Sequence, residues 1–191
     1  MTARNDILLK VCSLLLQYPD RELLARLPEI SAAVEELPAG ELKSALAGIV
    51  RDMADQPPLA LQEIYTAAFD LTPATTLNLT YHAFGDNEKR AAALVHLAQL
   101  YTAAGYSRMG GELPDFLPLM LEFLAVCPDV RSTATVWAYM GDLDALRERL
   151  QDSAPCYAAL LRLIGTLRPA AATTQNDIFQ NRSASTGGPP A

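Results

Sequence analysis

The stretch Glu112-Leu-Pro-Asp-Phe-Leu-Pro-Leu-Met-Leu-Glu-Phe123 decides how this chain is read. Leu113, Phe116, Leu117, Met120 and Leu124 recur at i, i+3, i+4, i+7 and i+11, the apolar stripe of a buried helix. Asp115, Leu119 and Glu122 follow a different line, so an acidic edge borders the apolar one. With Asp115 as N-cap, Pro118 falls at N3, where its missing N–H deprives the helix of no bond. The spacing therefore predicts a helix that begins near Asp115 and ends at Cys127-Pro128.

Upstream the same period recurs. Ile7, Leu8, Val11, Leu14 and Leu15 predict a first helix closed by Tyr18-Pro19. Asp20 caps a turn that runs to Pro28, and Ile30, Ala33, Val34 and Leu37 form a separate stretch beyond it. Leu42, Leu46, Ile49, Val50 and Met53 define the next helix, ended by Gln56-Pro-Pro58. Leu61, Ile64, Tyr65, Ala68 and Phe69 mark another, broken by Asp70-Leu-Thr-Pro73. Residues 74–84 are ambiguous. Thr75, Thr76 and Thr80 favour strand, but Leu77, Tyr81 and Phe84 keep helical spacing, and a lone strand would lack a partner. Helix is the expectation. Gly85 or Asp86 caps the longest segment, whose stripe is Ala91, Leu94, Val95, Leu97, Ala98 and Tyr101, with Gly105 as its stop.

Downstream, residues 130–140 and 143–150 are apolar or amphipathic turns around Gly141-Asp142, with Asp142 able to cap the second. Pro155 opens a last helix with stripe Tyr157, Leu160, Leu161 and Ile164, stopping at Pro169. Strand alternation and internal repeats are absent. The expectation is an all-α, single-domain helical bundle over residues 1–169. Residues 170–191 hold hardly any large apolar side chain and are expected to be a disordered tail.

Half of the 191 residues are hydrophobic, aromatics make up 7%, and the formal net charge is −7. An acidic chain lacks the Lys/Arg footprint of a nucleic-acid binder. Cys12, Cys127 and Cys156 show no CxxC spacing and read as free thiols. Lys10 interrupts the apolar run from Ile7 to Leu16, which removes a secretory leader, and no run is long enough to span a membrane. A cytoplasmic protein without direct membrane insertion is expected. Phosphate-loop, dinucleotide, zinc-hydrolase and nucleophile-elbow motifs are missing from the sequence. His82 and His96 would lie about 20 Å apart on a continuous helix, too far to share an ion. Without a nucleophile paired to a base, no enzyme and no metal site are expected.

Two stretches carry a resemblance. One is Tyr65-Thr-Ala-Ala-Phe-Asp-Leu71 continuing to Leu77-Asn-Leu-Thr-Tyr-His-Ala-Phe-Gly-Asp-Asn-Glu-Lys-Arg90-Ala-Ala-Ala-Leu94. The other is Glu112-Leu-Pro-Asp115 with Leu117-Pro and Leu121-Glu-Phe123. In combination they resemble the NarJ family, the assembly chaperones of membrane-bound respiratory nitrate reductase, within the broader TorD-like group of redox-enzyme maturation chaperones. The resemblance covers about Ile7 to Leu167. One departure is Phe116, where the family commonly has histidine after the Pro-Asp pair; any role of that imidazole is absent here, and Phe116 is expected to pack.

The resemblance implies an all-helical, TorD-like chaperone and no catalysis. Its partner would be the apo catalytic subunit of nitrate reductase, bound through that subunit's N-terminal segment. The client would stay competent for insertion of its molybdenum cofactor and iron–sulfur clusters before membrane docking. The bis-molybdopterin guanine dinucleotide and the clusters belong to the client, and this chain would carry no cofactor of its own. A monomer is expected, with a domain-swapped dimer as the alternative. Two other readings stay open: a chaperone of another molybdoenzyme, and a helical small-molecule-binding regulatory protein with a closed apolar cavity.

The peptide-contact candidates are Glu112, Asp115, Glu122, Tyr65, Phe69, Asp70, Tyr81, Phe84, Arg90 and Tyr101. Glu112 precedes the helix with no capping duty, which favours a partner contact; others have a plainer reading. Asp115 is equally an N-cap and Glu122 a solvated face. Tyr65, Phe69, Tyr81 and Phe84 surround Asp70-Leu-Thr-Pro73 and also suit a core. Lys89 and Arg90 oppose the dipole of their helix, so a carboxylate such as Asp86 or Asp70, or a client, is expected to hold them. Tyr101 and Tyr106 suit either core or groove.

Overall fold

A computed structural model describes residues 3–107 and 110–169. The helices among the described residues are α1 (Ala3–Leu15), α2 (Arg21–Glu35), α3 (Glu41–Ala54), α4 (Pro58–Tyr65), α5 (Leu79–Phe84), α6 (Glu88–Ala103), α7 (Leu117–Val126), α8 (Val130–Tyr139), α9 (Leu143–Leu150) and α10 (Pro155–Thr166). A π turn (Thr66–Asp70) extends α4, and a single 3-10 turn (Pro73–Thr75) follows it. The fold is all-α, as the apolar period predicts. The tail expected at 170–191 lies outside the described residues.

Side-chain caps fix several starts. Asp20 accepts from the Leu23 N–H at 2.8 Å, and Asp142 accepts from Asp144 and Ala145, both at 3.0 Å. Asp129 does the same for Ser132. Pro155 sits in the first turn of α10, and Gly105, at φ 74°, stops α6.

Other boundaries move. Pro28 ends nothing: α2 runs through it, with Pro28 exposed and Leu23, Leu27, Ile30 and Val34 on one buried stripe. An interior proline costs about 3 kcal/mol. Burying Ile30 and Val34 beyond it returns about 1.5–3 kcal/mol each, so the stripe wins. Helix α6 is capped by Asn87 rather than by Gly85 or Asp86. Its buried line is Ala93, Leu97 and Tyr101, which leaves Val95, expected in the stripe, 55% exposed.

Residues 74–84 are α-helical only from Leu79. Asn78 forms an isolated antiparallel bridge with Phe116, Leu117 donates its N–H to the Leu77 carbonyl at 2.9 Å, and Leu79 donates to the Asp115 carbonyl at 3.0 Å. The extended segment finds its partner in the approach to α7. The pairing also moves the start of α7, whose N-cap is Phe116, so Pro118 is at N2 and Asp115 lies before the helix.

The buried apolar residues form one cluster. Helix α7 runs through it and packs most extensively on α1, where the buried Ser13 hydroxyl donates to the Pro118 carbonyl at 2.8 Å. Trp137, Tyr101, Tyr139, Tyr157 and Phe123 are its largest fully buried side chains.

Candidate functional site

A cleft of about 680 Å³, open to solvent, lies where the turn after α1, the π turn, the bridged segment and α7 converge. One wall comes from the π turn. Its wider winding frees carbonyls at its end, and threonine hydroxyls supply the donors: Thr72 bonds the Ala67 carbonyl at 2.9 Å, and Thr75 bonds that of Ala68. Thr72, from the Asp70-Leu-Thr-Pro73 break, and Thr75, one of the threonines that read as strand formers, are therefore the polar clamp of this turn. Tyr65, Phe69 and Asp70 are thereby set into the cleft.

Tyr65 is anchored from behind. Its hydroxyl donates to the Leu16 carbonyl at 3.1 Å, and its ring makes edge contacts with Tyr18, Phe69 and Tyr157 at centroid distances of 5.5, 4.9 and 5.7 Å. Burial pushes the Tyr65 phenol up from its usual range, and Asp70 and Glu112 add to the shift. The opposite wall is α7 and its approach, with Phe116, Pro118, Leu119 and Glu122. Asp20, Asp70, Glu112 and Glu122 give the lining four carboxylates among the described residues, beside Tyr18, Tyr65, Phe69, Leu77 and Phe116.

Glu122 is held by two partners. Burial alone would raise its pKa, but the Lys10 ammonium and the Tyr106 hydroxyl outweigh that and keep the carboxyl below its usual range. Lys10 reaches it from α1 across the α1–α7 interface.

Of the ten sequence candidates, the structure brings Tyr65, Phe69, Asp70, Glu112 and Glu122 into this cleft. Five lie elsewhere. Asp115 is fully buried and accepts from the Thr80 hydroxyl at 2.6 Å and the Thr80 N–H at 3.2 Å. It therefore serves the first turn of α5 rather than capping α7. Arg90 stands 3.8 Å from both Asp115 and Asp86 and lies over the Tyr81 ring at 5.5 Å. Asp86 is thus the partner expected for it, joined by Asp115. Phe84 is half-buried against the core, and Tyr101 is fully buried with its hydroxyl on the Pro114 carbonyl at 2.8 Å.

Sequence reasoning missed Tyr18, Asp20, Asn78 and Lys10 around the cleft. Lys10 left a signal: it is a cation inside an apolar helix, between the buried Leu9 and Val11. A second concavity, of about 940 Å³, lies between the ends of α1, α7, α8 and α10, with Val126, Cys127 and Val130 in its lining. It contains none of the candidates.

His82 bonds the Thr76 carbonyl through Nε2 at 2.8 Å, and His96 bonds the Tyr139 hydroxyl through Nδ1 at 2.7 Å. Among the described residues no group of three His, Cys, Asp or Glu side chains could hold a metal ion. No described helix is long and apolar enough to cross a membrane.

Comparison with known proteins adds the family. A family model described as "nitrate reductase delta subunit" matches residues 28–160. The chain is 32% identical over 163 residues to the probable nitrate reductase molybdenum cofactor assembly chaperone NarJ of Bacillus subtilis, covering 85% of this chain and 89% of the relative. It is 35% identical over 159 residues to the NarJ assembly chaperone of Escherichia coli K12, covering 82% and 67% respectively. The nitrate reductase-like protein NarX of Mycobacterium tuberculosis H37Rv is 32% identical over 153 residues, which are 80% of this chain but 23% of that protein.

Proposed function

The chain belongs to the nitrate reductase delta subunit family, and from that premise we propose that it is an assembly chaperone for the molybdenum cofactor of a nitrate reductase. It acts by binding and not by turnover. Its client is the apo catalytic subunit, captured through the N-terminal segment. That capture keeps the subunit open for insertion of its molybdenum cofactor and iron–sulfur clusters before it docks at the membrane.

The observation that supports this reading is the cleft at the family stretches, where aromatic side chains and carboxylates face one space. An amphipathic helix presents anchors at i, i+3 or i+4 and i+7 to such a groove, with cations meeting the acidic rim.

The test is calorimetric titration of the full chain with a synthetic peptide of about 20 residues from the N-terminus of the cognate catalytic subunit, which is about 30 Å long as a helix. Saturable binding with a negative heat-capacity change, abolished by Leu119→Asp, is the expected result. Equal binding of a scrambled peptide, or no binding by folded protein, rejects the reading.

A further inference from the structure

Lys10 and Glu122 form an ion pair that bridges α1 and α7, and Glu122 alone of the two lines the cleft. Both side chains remain partly exposed, at 44% and 35%. A pair this open holds its partners together by a factor of only about five or less. It is weak enough to exchange. Lys10 also has no evident service to its own helix, since it is the cation between buried Leu9 and Val11. Glu122, by contrast, is kept in place without Lys10: the Tyr106 hydroxyl donates to it, and the Tyr106 ring packs on Phe123 at 5.6 Å. The carboxylate is a fixed acceptor on the cleft wall with a replaceable cation.

Resting on the peptide-binding reading of this cleft, we propose that Glu122 is the subsite for a lysine or arginine of the bound segment, and that Lys10 occupies it in the free protein. Binding exchanges one cation for another. The ligand's cation pairs with Glu122 beneath the covering helix, where the effective dielectric is lower and the attraction stronger, while Lys10 returns to water. A neutral amphipathic segment cannot make that exchange and gains the apolar contacts alone. An acidic one meets the carboxylates of Asp70 and Glu122 and is repelled. Lys10 thus acts as a gate on charge: it spares the free protein an unpaired carboxylate and yields only to a segment that brings its own cation.

The full chain is titrated with two probes: the N-terminal peptide used above, and the same peptide with every Lys and Arg replaced by Gln. Lys10→Met removes the competitor, so it tightens the basic peptide about two- to fivefold, the worth of an exposed pair, and does not tighten the neutral one. Glu122→Gln weakens the basic peptide, leaves the neutral one unchanged and cancels the effect of Lys10→Met. The double swap Lys10→Glu with Glu122→Lys keeps a pair between α1 and α7, guarding against loss of fold, and lowers the preference for the basic peptide. Circular-dichroism melts confirm that each variant is folded. If the wild type binds the basic peptide and Lys10→Met leaves it unchanged or weaker, or tightens both peptides alike, the gate is wrong and the cleft reading stands. If the wild type binds neither peptide, both are wrong.

Discussion

Asp115 accepts hydrogen bonds from both the hydroxyl and the backbone N–H of Thr80, 35 residues earlier in the chain, at 2.6 and 3.2 Å. One fully buried carboxylate on the approach to α7 thereby closes the first turn of α5, with Arg90 at 3.8 Å behind it. Removing it strands two donors and a mostly buried guanidinium. Asp115→Ala is expected to destabilise the protein by about 2–4 kcal/mol, and Thr80→Val by about 1–2 kcal/mol. A double-mutant cycle in urea should give a coupling of at least about 1 kcal/mol. Additive losses would show that the contact contributes nothing. Any effect of Asp115→Ala on peptide affinity is then an effect on the wall, since Asp115 does not line the cleft.

Tyr65 and Tyr157 share one aromatic cluster but differ in their hydroxyls. Tyr65 donates to the Leu16 carbonyl, whereas the Tyr157 hydroxyl is buried without a hydrogen-bond partner among the described residues. Tyr65→Phe should cost about 0.5–1.5 kcal/mol, and Tyr157→Phe should be neutral or stabilising. Chemical denaturation of the two variants side by side checks the order, and equal losses would contradict it.

Glu122 gives a pH signature. Its folded pKa is depressed below the ordinary 4.5, so the Lys10 and Tyr106 contacts stabilise the fold fully above that value and fade as pH falls through the lower, folded one. The difference in melting temperature between wild type and Glu122→Gln should therefore be constant from neutral pH to about pH 5.5 and shrink in more acid solution. A difference that grows on acidification would mean that burial, rather than Lys10, governs this carboxyl.

Pro28 lies in the exposed interior of α2, seven residues from its start at Arg21. Pro28→Ala supplies the missing backbone N–H and leaves the buried stripe untouched. An increase in stability of about 1–3 kcal/mol is expected from thermal melts. A decrease would place the proline in a kink that the packing requires.

What the sequence determined by itself is the class of fold and most of its punctuation. Apolar side chains at helical period, carboxylates ahead of them and a glycine after them act over one or two turns, where chain connectivity alone brings the groups together. Asp20, Asp142, Pro155, Gly105 and Cys127 were legible for that reason. Part of the candidate site was legible too, because Tyr65, Phe69 and Asp70 flank one local break and Glu112 and Glu122 flank one helix start.

Tertiary structure decided the choices in which a local rule met a distant partner. Asp115 has the spacing of an N-cap for its own helix, but Thr80 offers it two donors inside the core, and burial makes that commitment the stronger one. The extended stretch at residues 76–78 reads as a strand without a mate until Phe116 arrives beside it. Pro28 reads as a stop until the buried Ile30 and Val34 carry the helix past it. Lys10 reads as a blemish in an apolar helix until α7 places Glu122 across from it. Each outcome depends on which surfaces the folded chain brings together, and desolvation then weights the contacts made there above those between neighbours in sequence.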